Sequence, residues 1–213
     1  MNLRNGVLMK VKVCGITNLS DALLCQSAGA DALGFIFYPG SKRYVPPEVA
    51  SLIIRKLSPF IIKVGVFVDE PAEFVNRIAS YLKLNLVQLH GSETPRTADE
   101  IDFPVIKSFK INDSFNFSLL DDYKNVYHLL DSFSEVQHGG TGNKFNWEII
   151  PGGIKHKIIL AGGISSENIE AIYKDIGPAA IDLSSSLEKE PGKKDNEKVT
   201  DFFRKVSTLC SSS

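Results

Sequence analysis

Residues 10–37, KVKVCGITNLSDALLCQSAGADALGFIF, contain two short apolar runs separated by a longer stretch with a helical pattern. The runs at 11–13 and 32–37 have the length and composition typical of strands in a parallel sheet. The stretch between them opens with Asn18, a favourable helix N-cap, and closes at Gly29, a favourable C-cap. The segment therefore predicts a strand, a helix and a second strand, which is the repeating unit of an α/β fold.

The same alternation continues to the end of the chain. Further strand-like runs lie at 62–68, 85–89, 105–109, 126–131, 157–160 and 179–183. Helical patterns lie between them at 46–57, 70–82, 92–101 and 165–177, and after them at 196–206, with weaker ones at 114–123 and 145–150. Eight strands alternating with about eight helices predict a single-domain (β/α)8 TIM barrel. An open doubly wound sheet is the alternative, and the absence of Gly-x-Gly-x-x-Gly after the first strand disfavours it.

The predicted domain organisation follows from this pattern. Residues 1–9 are expected to be an N-terminal extension, residues 10–206 the catalytic barrel, and residues 207–213 a flexible Ser-rich tail. The 213 residues contain 24 basic and 25 acidic side chains, which give no electrostatic basis for binding nucleic acid or a membrane. No apolar run approaches the roughly 20 residues of a membrane span, and the first nine residues are too short for a secretory signal. We expect a cytoplasmic protein.

The three cysteines, Cys14, Cys25 and Cys210, do not indicate a disulfide framework, because their number is odd and their spacings are wide. Cys25 and Cys210 are expected to be inert. Cys14 follows directly after the first predicted strand, so its position has to decide its role.

Chemistry in a βα barrel is expected at the carboxyl ends of the strands, where the βα loops converge. The residues found there include a thiol, cations, carboxylates, an amide, an imidazole and small residues. They are Cys14, Lys42, Arg43, Gln88, His90, Asp131, Gly162, Gly163, Asp182, Ser184, Ser185 and Ser186. The four histidines show no metal-type spacing, and no metal site is predicted.

Small residues follow both the seventh and the eighth predicted strand, at Gly162–Gly163 and Ser184–Ser186. Such loops allow backbone N–H groups to point outward together, which is how this fold commonly binds phosphate. The alternative is that the two glycines only form a tight turn.

Asp131 ends an apolar run, and apolar surroundings disfavour an ionised carboxylate, which suits a general acid. A cap for the following loop is the alternative. Cys14 could be a packing residue or a reagent. As a reagent it would need help to ionise, and backbone amides after Gly15 together with Lys12 or Lys42 are expected to favour the thiolate.

Taken together, the motifs resemble those of the phosphoribosylanthranilate isomerase family of tryptophan biosynthesis. The resemblance extends from Lys10 to about Lys205, and each motif occurs at the expected strand end. The motifs are KVCGIT, ALGFIFYPGSKRYV, VGVFV, VQLHG, LLDS, HGGTG-KFNW, LAGGIS-ENI and AIDLSSSLEKEPGKKD.

The resemblance implies a cofactor-free and metal-free Amadori rearrangement of a phosphosugar–anthranilate substrate. It implies that Cys14 is the general base, that Asp131 is the general acid, and that Arg43 binds the anthranilate carboxylate. Gln88, His90 and Asp182 would line the substrate site, and the loops with Gly162, Gly163 and Ser184 to Ser186 would hold the phosphate. A monomer or a homodimer is expected.

Two positions depart from the usual pattern. Lys42 replaces a proline, and Ser186 replaces a glycine whose positive φ a serine would adopt only at a cost. Two other functions remain possible. One is a related phosphosugar isomerase, such as that of the histidine pathway, which has Asp at the base position. The other is a non-catalytic barrel that binds phosphosugars.

Overall fold

The computed structural model describes residues 9–132 and 147–211. Its centre is a closed barrel in which each strand pairs in parallel with the next and the eighth pairs with the first. The strands are β1 (Lys10–Cys14), β2 (Ala32–Ile36), β3 (Ile62–Phe67), β4 (Leu86–Leu89), β5 (Val105–Lys110), β6 (Val126–Asp131), β7 (Ile159–Ala161) and β8 (Ala180–Leu183). The predicted TIM barrel is confirmed.

The connections are less regular than the strands. The α-helices are α1 (Leu19–Ala28), α2 (Pro47–Ile54), α3 (Ala72–Leu82), α4 (Pro95–Asp99), α5 (Ile169–Ala171) and α6 (Asn196–Ser211). A 3₁₀ helix, Phe117–Asp122, follows β5, and two more, Trp147–Ile149 and Lys155–Lys157, precede β7. A π-helical turn, Ile172–Ile176, continues α5. The weak helical patterns at 114–123 and 145–150 therefore correspond to 3₁₀ turns. Much of the Gly-rich loop after β6 lies outside the described residues.

The two ends of the chain differ from the predicted boundaries. Met9, assigned to the extension, is buried in the hydrophobic core at 3% exposure. At the other end, α6 continues to Ser211, so residues 207–211 are helical where a flexible tail was predicted. The helix continues because Leu209 still packs against the core that contains Val206. Residues 1–8 and 212–213 lie outside the described residues, and the domain boundaries stay a prediction.

The pleat of the strands separates two cores. Outward-facing side chains such as Val11, Val13, Ile181 and Leu183 join the large cluster that packs under the helices. Alternate residues point into the barrel because successive side chains of a strand lie on opposite faces. A small apolar cluster fills part of this interior. It contains Ala32, Val64, Ile106, Leu129 and Ala161.

The same alternation brings polar side chains into the barrel near the carboxyl ends of the strands. Lys12 and Cys14 share the inner face of β1, Asp182 faces inward from β8, and Asp131 is the last residue of β6. Strand register aligns Lys12 with Asp182 and Cys14 with Gly34. The polar interior therefore follows from the alternation of side chains along each strand, which places every second residue inside the barrel.

A small antiparallel hairpin follows β8 and was not predicted. It consists of β9 (Glu188–Glu190) and β10 (Lys193–Lys194). The backbone N–H of Lys194 donates to Asp21 Oδ2 at 2.8 Å, and the Thr17 hydroxyl donates to the carbonyl of Gly192. These bonds hold the hairpin against the β1–α1 connection and the first turn of α1. Within the described residues, no helix is long and apolar enough to cross a membrane.

Candidate active site

A cavity of about 550 Å³ lies at the carboxyl ends of the strands. Every residue that was given a catalytic or binding role lines it, whereas Lys42 does not. The residues with such a role are Cys14, Arg43, Gln88, His90, Asp131, Gly162, Gly163, Asp182, Ser184, Ser185 and Ser186. Their convergence agrees with the expected position of the chemistry in a barrel of this type. The individual roles stay predictions.

Cys14 lies beside a buried ion pair at the floor of this cavity. The Lys12 ammonium donates to Asp182 Oδ2 at 2.8 Å, and both side chains are under 10% exposed. Gly34, the register partner of Cys14, provides the space above them. A Cβ atom added to Gly34 would lie 2.8 Å from Cys14 Sγ and 3.2 Å from Lys12 Nζ. The thiol and the ammonium therefore lie close together in space that is open because Gly34 has no side chain.

The predicted lowering of the Cys14 pKa was wrong. Burial raises the pKa of the Cys14 thiol above its ordinary value, and the Lys12 ammonium only partly offsets this effect. Lys12 is the lysine beside the thiol, whereas Lys42 is exposed. Burial disfavours the Lys12 ammonium, but Asp182 and Cys14 outweigh burial and raise the pKa of Lys12. At neutral pH the pair is therefore a thiol next to a charged lysine.

Asp131 lies across the cavity with His90 and Gln88. The His90 Nε2 and Asp131 Oδ2 atoms are 3.9 Å apart, and His90 Nδ1 lies 3.0 Å from Gln88 Nε2. Burial lowers the pKa of His90 more than the nearby Asp131 raises it. The imidazole is therefore mainly neutral at neutral pH, and a smaller fraction of it carries the proton that a general acid would donate.

Three buried oxygen atoms of site residues have no hydrogen-bond partner among the described residues. They are Gln88 Oε1, Asp182 Oδ1 and Ser184 Oγ. A buried polar group without a partner costs roughly 1–3 kcal/mol, so unsatisfied groups in a native fold are uncommon. All three residues line the cavity. The arrangement fits a ligand with several hydroxyl groups.

The loops after β7 and β8 lie side by side because these two strands pair. Gly162 and Gly163 both have positive φ, 87° and 63°, a conformation that most side chains would strain. An added Cβ at Gly163 would meet no atom within 4 Å. Ser186 is not among the described non-glycine residues with positive φ, so replacing the usual glycine introduces no backbone strain there. Both loops line the cavity, as a shared anion site requires.

Arg43 is engaged in a contact that the sequence did not predict. Its Nε and Nη2 atoms donate to the Glu188 carboxylate at 2.7–3.0 Å. Glu188 also accepts from Lys194 Nζ at 3.0 Å, and the side chains of Glu188 and Lys194 are 3% and 0% exposed. Burial disfavours ionised Glu188, but the two cations outweigh burial and lower its pKa.

Sequence reasoning assigned no role to Glu188 or Lys194, although both lie in the quoted stretch SSSLEKEPGKKD. The Pro191-Gly192 pair is a turn signal that could have predicted the hairpin and the approach of these two residues. For Lys12 the sequence indicates only that it is one of two lysines near the thiol. Within the described residues, no cluster of His, Cys, Asp and Glu has the composition of a metal site.

The chain matches a known enzyme family over almost its whole length. The family model for N-(5′-phosphoribosyl)anthranilate (PRA) isomerase matches residues 11–205. The N-(5′-phosphoribosyl)anthranilate isomerase of Geobacter sp. (strain M21) is 45% identical over 203 residues, covering 95% of this chain and 100% of the relative.

Solved structures agree with this family match. Phosphoribosyl anthranilate isomerase from Thermotoga maritima is 39% identical with a TM-score of 0.84, covering 94% of this chain and 99% of that chain. A phosphoribosyl anthranilate isomerase in complex with reduced 1-(o-carboxyphenylamino)-1-deoxyribulose 5-phosphate is 38% identical with a TM-score of 0.81. This match covers 94% of this chain and 99% of that one.

Proposed function

The chain belongs to the N-(5′-phosphoribosyl)anthranilate isomerase family, and on that premise we propose that Cys14 and Asp131 are the base and the acid of its reaction. The reaction converts N-(5′-phosphoribosyl)anthranilate into 1-(2-carboxyphenylamino)-1-deoxyribulose 5-phosphate, a step of tryptophan biosynthesis. It is an internal redox change of the sugar, in which carbon 1 is reduced and carbon 2 is oxidised.

The rearrangement needs one proton donor and one proton acceptor. Asp131 donates a proton to the ring oxygen, the bond from that oxygen to carbon 1 breaks, and an iminium forms between carbon 1 and the anthranilate nitrogen. The Cys14 thiolate then removes the proton from carbon 2, and the electron pair forms an enolamine. Loss of the hydroxyl proton at carbon 2 and protonation of carbon 1 give the ketone.

The observation that carries this proposal is the position of the two groups on one cavity. Cys14 ends β1 and Asp131 ends β6, so an acid and a base reach one ligand from strands far apart around the barrel. The raised pKa of Cys14 is compatible with this role, because the thiolate is then a stronger base whenever it forms. The Lys12 ammonium beside it stabilises the charge that the thiolate carries.

The rest of the cavity fits the other parts of the substrate. The small residues of the β7 and β8 loops support phosphate binding, and Arg43 supports binding of the anthranilate carboxylate. The unpaired oxygens of Gln88, Asp182 and Ser184 can accept hydrogen bonds from the sugar hydroxyls. The oligomeric state, predicted as monomer or homodimer, is to be measured by sedimentation.

The direct test is turnover of freshly made N-(5′-phosphoribosyl)anthranilate, followed by loss of its fluorescence. We expect turnover in the usual enzymatic range, roughly 1–10³ s⁻¹. The reduced product named above should inhibit competitively, because it carries the carboxylate, the open sugar and the phosphate together. Fluorescence loss at the uncatalysed rate, from protein that is folded by circular dichroism, would contradict the proposal.

A further inference from the structure

Among the described residues, hydrogen bonds hold the guanidinium of Arg43 by one edge. Glu188 accepts hydrogen bonds from Nε and Nη2. A guanidinium is planar and its N–H edges diverge, so the edge formed by Nη1 and Nη2 points away from Glu188. Arg43 lines the cavity, so its remaining edge can meet a carboxylate there.

The aliphatic part of the Arg43 side chain is held in place as well as its guanidinium. A Cβ added to Gly15 would lie 2.7 Å from Arg43 Cδ, so the arginine chain passes directly over a residue without a side chain. The backbone N–H of Arg43 donates to the Ser41 hydroxyl at 3.1 Å. The backbone bond fixes the loop at Arg43, and the approach to Gly15 together with the bonds to Glu188 leaves the side chain few other conformations.

The charge balance of the cluster leaves Arg43 able to attract an anion. One carboxylate, Glu188, lies between two cations, Arg43 and Lys194, so the three groups together carry one positive charge. Lys194 Nζ also donates to the carbonyls of Cys14 at 2.7 Å and Ser184 at 3.3 Å. The same lysine thus compensates Glu188 and ties the ends of β1 and β8 together.

We propose that Glu188 is a positioning residue that sets the specificity of the enzyme for a carboxylated aromatic amine. It acts by fixing the orientation of Arg43 before the substrate binds. A preorganised arginine loses less conformational entropy on binding, which strengthens its contact with the carboxylate. This inference rests on the proposed role of Arg43 as the carboxylate anchor, and the following experiment separates the two claims.

The experiment compares two substrates, N-(5′-phosphoribosyl)anthranilate and N-(5′-phosphoribosyl)aniline, which lacks only the carboxylate. The quantity measured is the ratio of their kcat/KM values. We expect the wild-type enzyme to prefer the carboxylated substrate by roughly 10²-fold, as a charged paired contact allows. A defect in folding or in the acid–base chemistry would lower both values and leave this ratio unchanged.

Glu188→Gln should lower the ratio by about tenfold, mainly by raising KM for the carboxylated substrate. The amide offers a single acceptor oxygen, and its NH₂ group opposes the donors of Arg43 and Lys194. Glu188→Asp keeps the charge but withdraws it by one methylene, and it should lower the ratio in the same direction. If Glu188→Gln fails to fold, the Asp variant decides. The matched control is Glu190→Gln, an exposed position of the same hairpin, which should keep the wild-type ratio.

Arg43→Ala identifies which claim fails. If it lowers the ratio while both Glu188 variants keep the wild-type value, the positioning role is wrong and the anchor role stands. If Arg43→Ala keeps the wild-type ratio, Arg43 is not the anchor, and the inference about Glu188 is overturned with it. Support for the inference requires that Arg43→Ala and the Glu188 variants all lower the ratio.

Discussion

The pKa of the Cys14 thiol depends on burial and on the charges of several neighbouring groups. Burial raises the pKa of the thiol, and the charge of Lys12 lowers it. Asp182 on β8 raises it, and Lys194 of the hairpin lowers it. The negative charge of an ionised Cys14 also helps to raise the pKa of Arg43, in the loop after β2. Of these groups Lys12 has the strongest effect in favour of the thiolate.

Lys12→Met should raise the pKa of Cys14 further, because it removes the ammonium and leaves the Asp182 carboxylate nearby. Each unit of pKa lowers the thiolate fraction about tenfold below the midpoint, and kcat/KM near neutral pH should fall with it. The thiol titration is measured as thiolate ultraviolet absorbance against pH, with Cys14→Ser subtracted. Lys10→Met is the control, because Lys10 is exposed and pairs with Asp31. An unchanged titration in Lys12→Met would exclude this role for Lys12.

Asp131→Asn should remove the decline of kcat/KM at high pH and leave a small residual rate. The decline arises because activity requires a protonated Asp131 together with an ionised Cys14, and asparagine has no proton to lose. The value of kcat/KM should fall by roughly 10²–10⁴-fold relative to the wild type. A variant that keeps the high-pH decline and most of the rate would show that another residue is the acid. His90 would be the next candidate, although burial lowers its pKa.

Strands β1 and β2 create the space that the thiol occupies. Their register aligns Cys14 with Gly34, and both residues face the barrel interior. Gly34→Ala would introduce a Cβ 2.8 Å from Sγ, a distance at which something must shift. The expected result is a fall in kcat, with a loss of stability of about 1–3 kcal/mol, as is usual for overpacking.

The matched control for Gly34→Ala is Gly153→Ala, where an added Cβ meets no atom within 4 Å. Its kcat should equal that of the wild type. Urea unfolding separates the stability loss from the loss of turnover. Gly34→Ala with wild-type kcat would mean that the close contact has no part in placing the thiol.

Strand positions could be read from the sequence because strands that are buried on both faces appear as short, nearly continuous apolar runs. Each of the eight runs overlaps a strand, and the run 126–131 matches β6 in full. The ends of the predicted strands also placed Cys14 and Asp131 at the reactive end of the barrel. The connections were less predictable, because 3₁₀ and π turns such as Phe117–Asp122 and Ile172–Ile176 depend on packing.

The ionic partners could not be read from the sequence. Glu188 and Arg43 are 145 residues apart along the chain, and only the closure of β8 against β1 brings them together. The direction of the Cys14 pKa was missed for a similar reason. The sequence showed the nearby lysine, but the degree of burial that outweighs it depends on the closed barrel.

The stability of the whole barrel should fall in alkaline solution because of its buried thiols. Cys25 lies on the buried face of α1, and burial raises its pKa to about 12. Between the ordinary value of about 9 and 12, the unfolded chain loses the thiol proton while the folded protein keeps it. Ionisation therefore favours unfolding as pH rises, by up to about 1.4 kcal/mol per pH unit for one thiol.

Cys25→Ala tests this linkage without reference to activity. At neutral pH the variant should be less stable than the wild type, because it leaves a small cavity. The difference in unfolding free energy should narrow as pH rises above about 9, since alanine has no proton to lose. The measurement is urea unfolding at a series of pH values. A difference that stays constant with pH would contradict the raised pKa of Cys25.

The central claim, that the Cys14 thiolate is the base of the isomerisation, is tested most directly by kcat for N-(5′-phosphoribosyl)anthranilate in Cys14→Ser. A serine hydroxyl is a far poorer base, so kcat should fall by roughly 10²–10⁴-fold. Circular dichroism should be unchanged, and Cys25→Ala, which removes a second thiol that is buried in the described part of the chain, should keep wild-type kcat. A Cys14→Ser enzyme with near-wild-type kcat would contradict the claim and remove Cys14 from the mechanism.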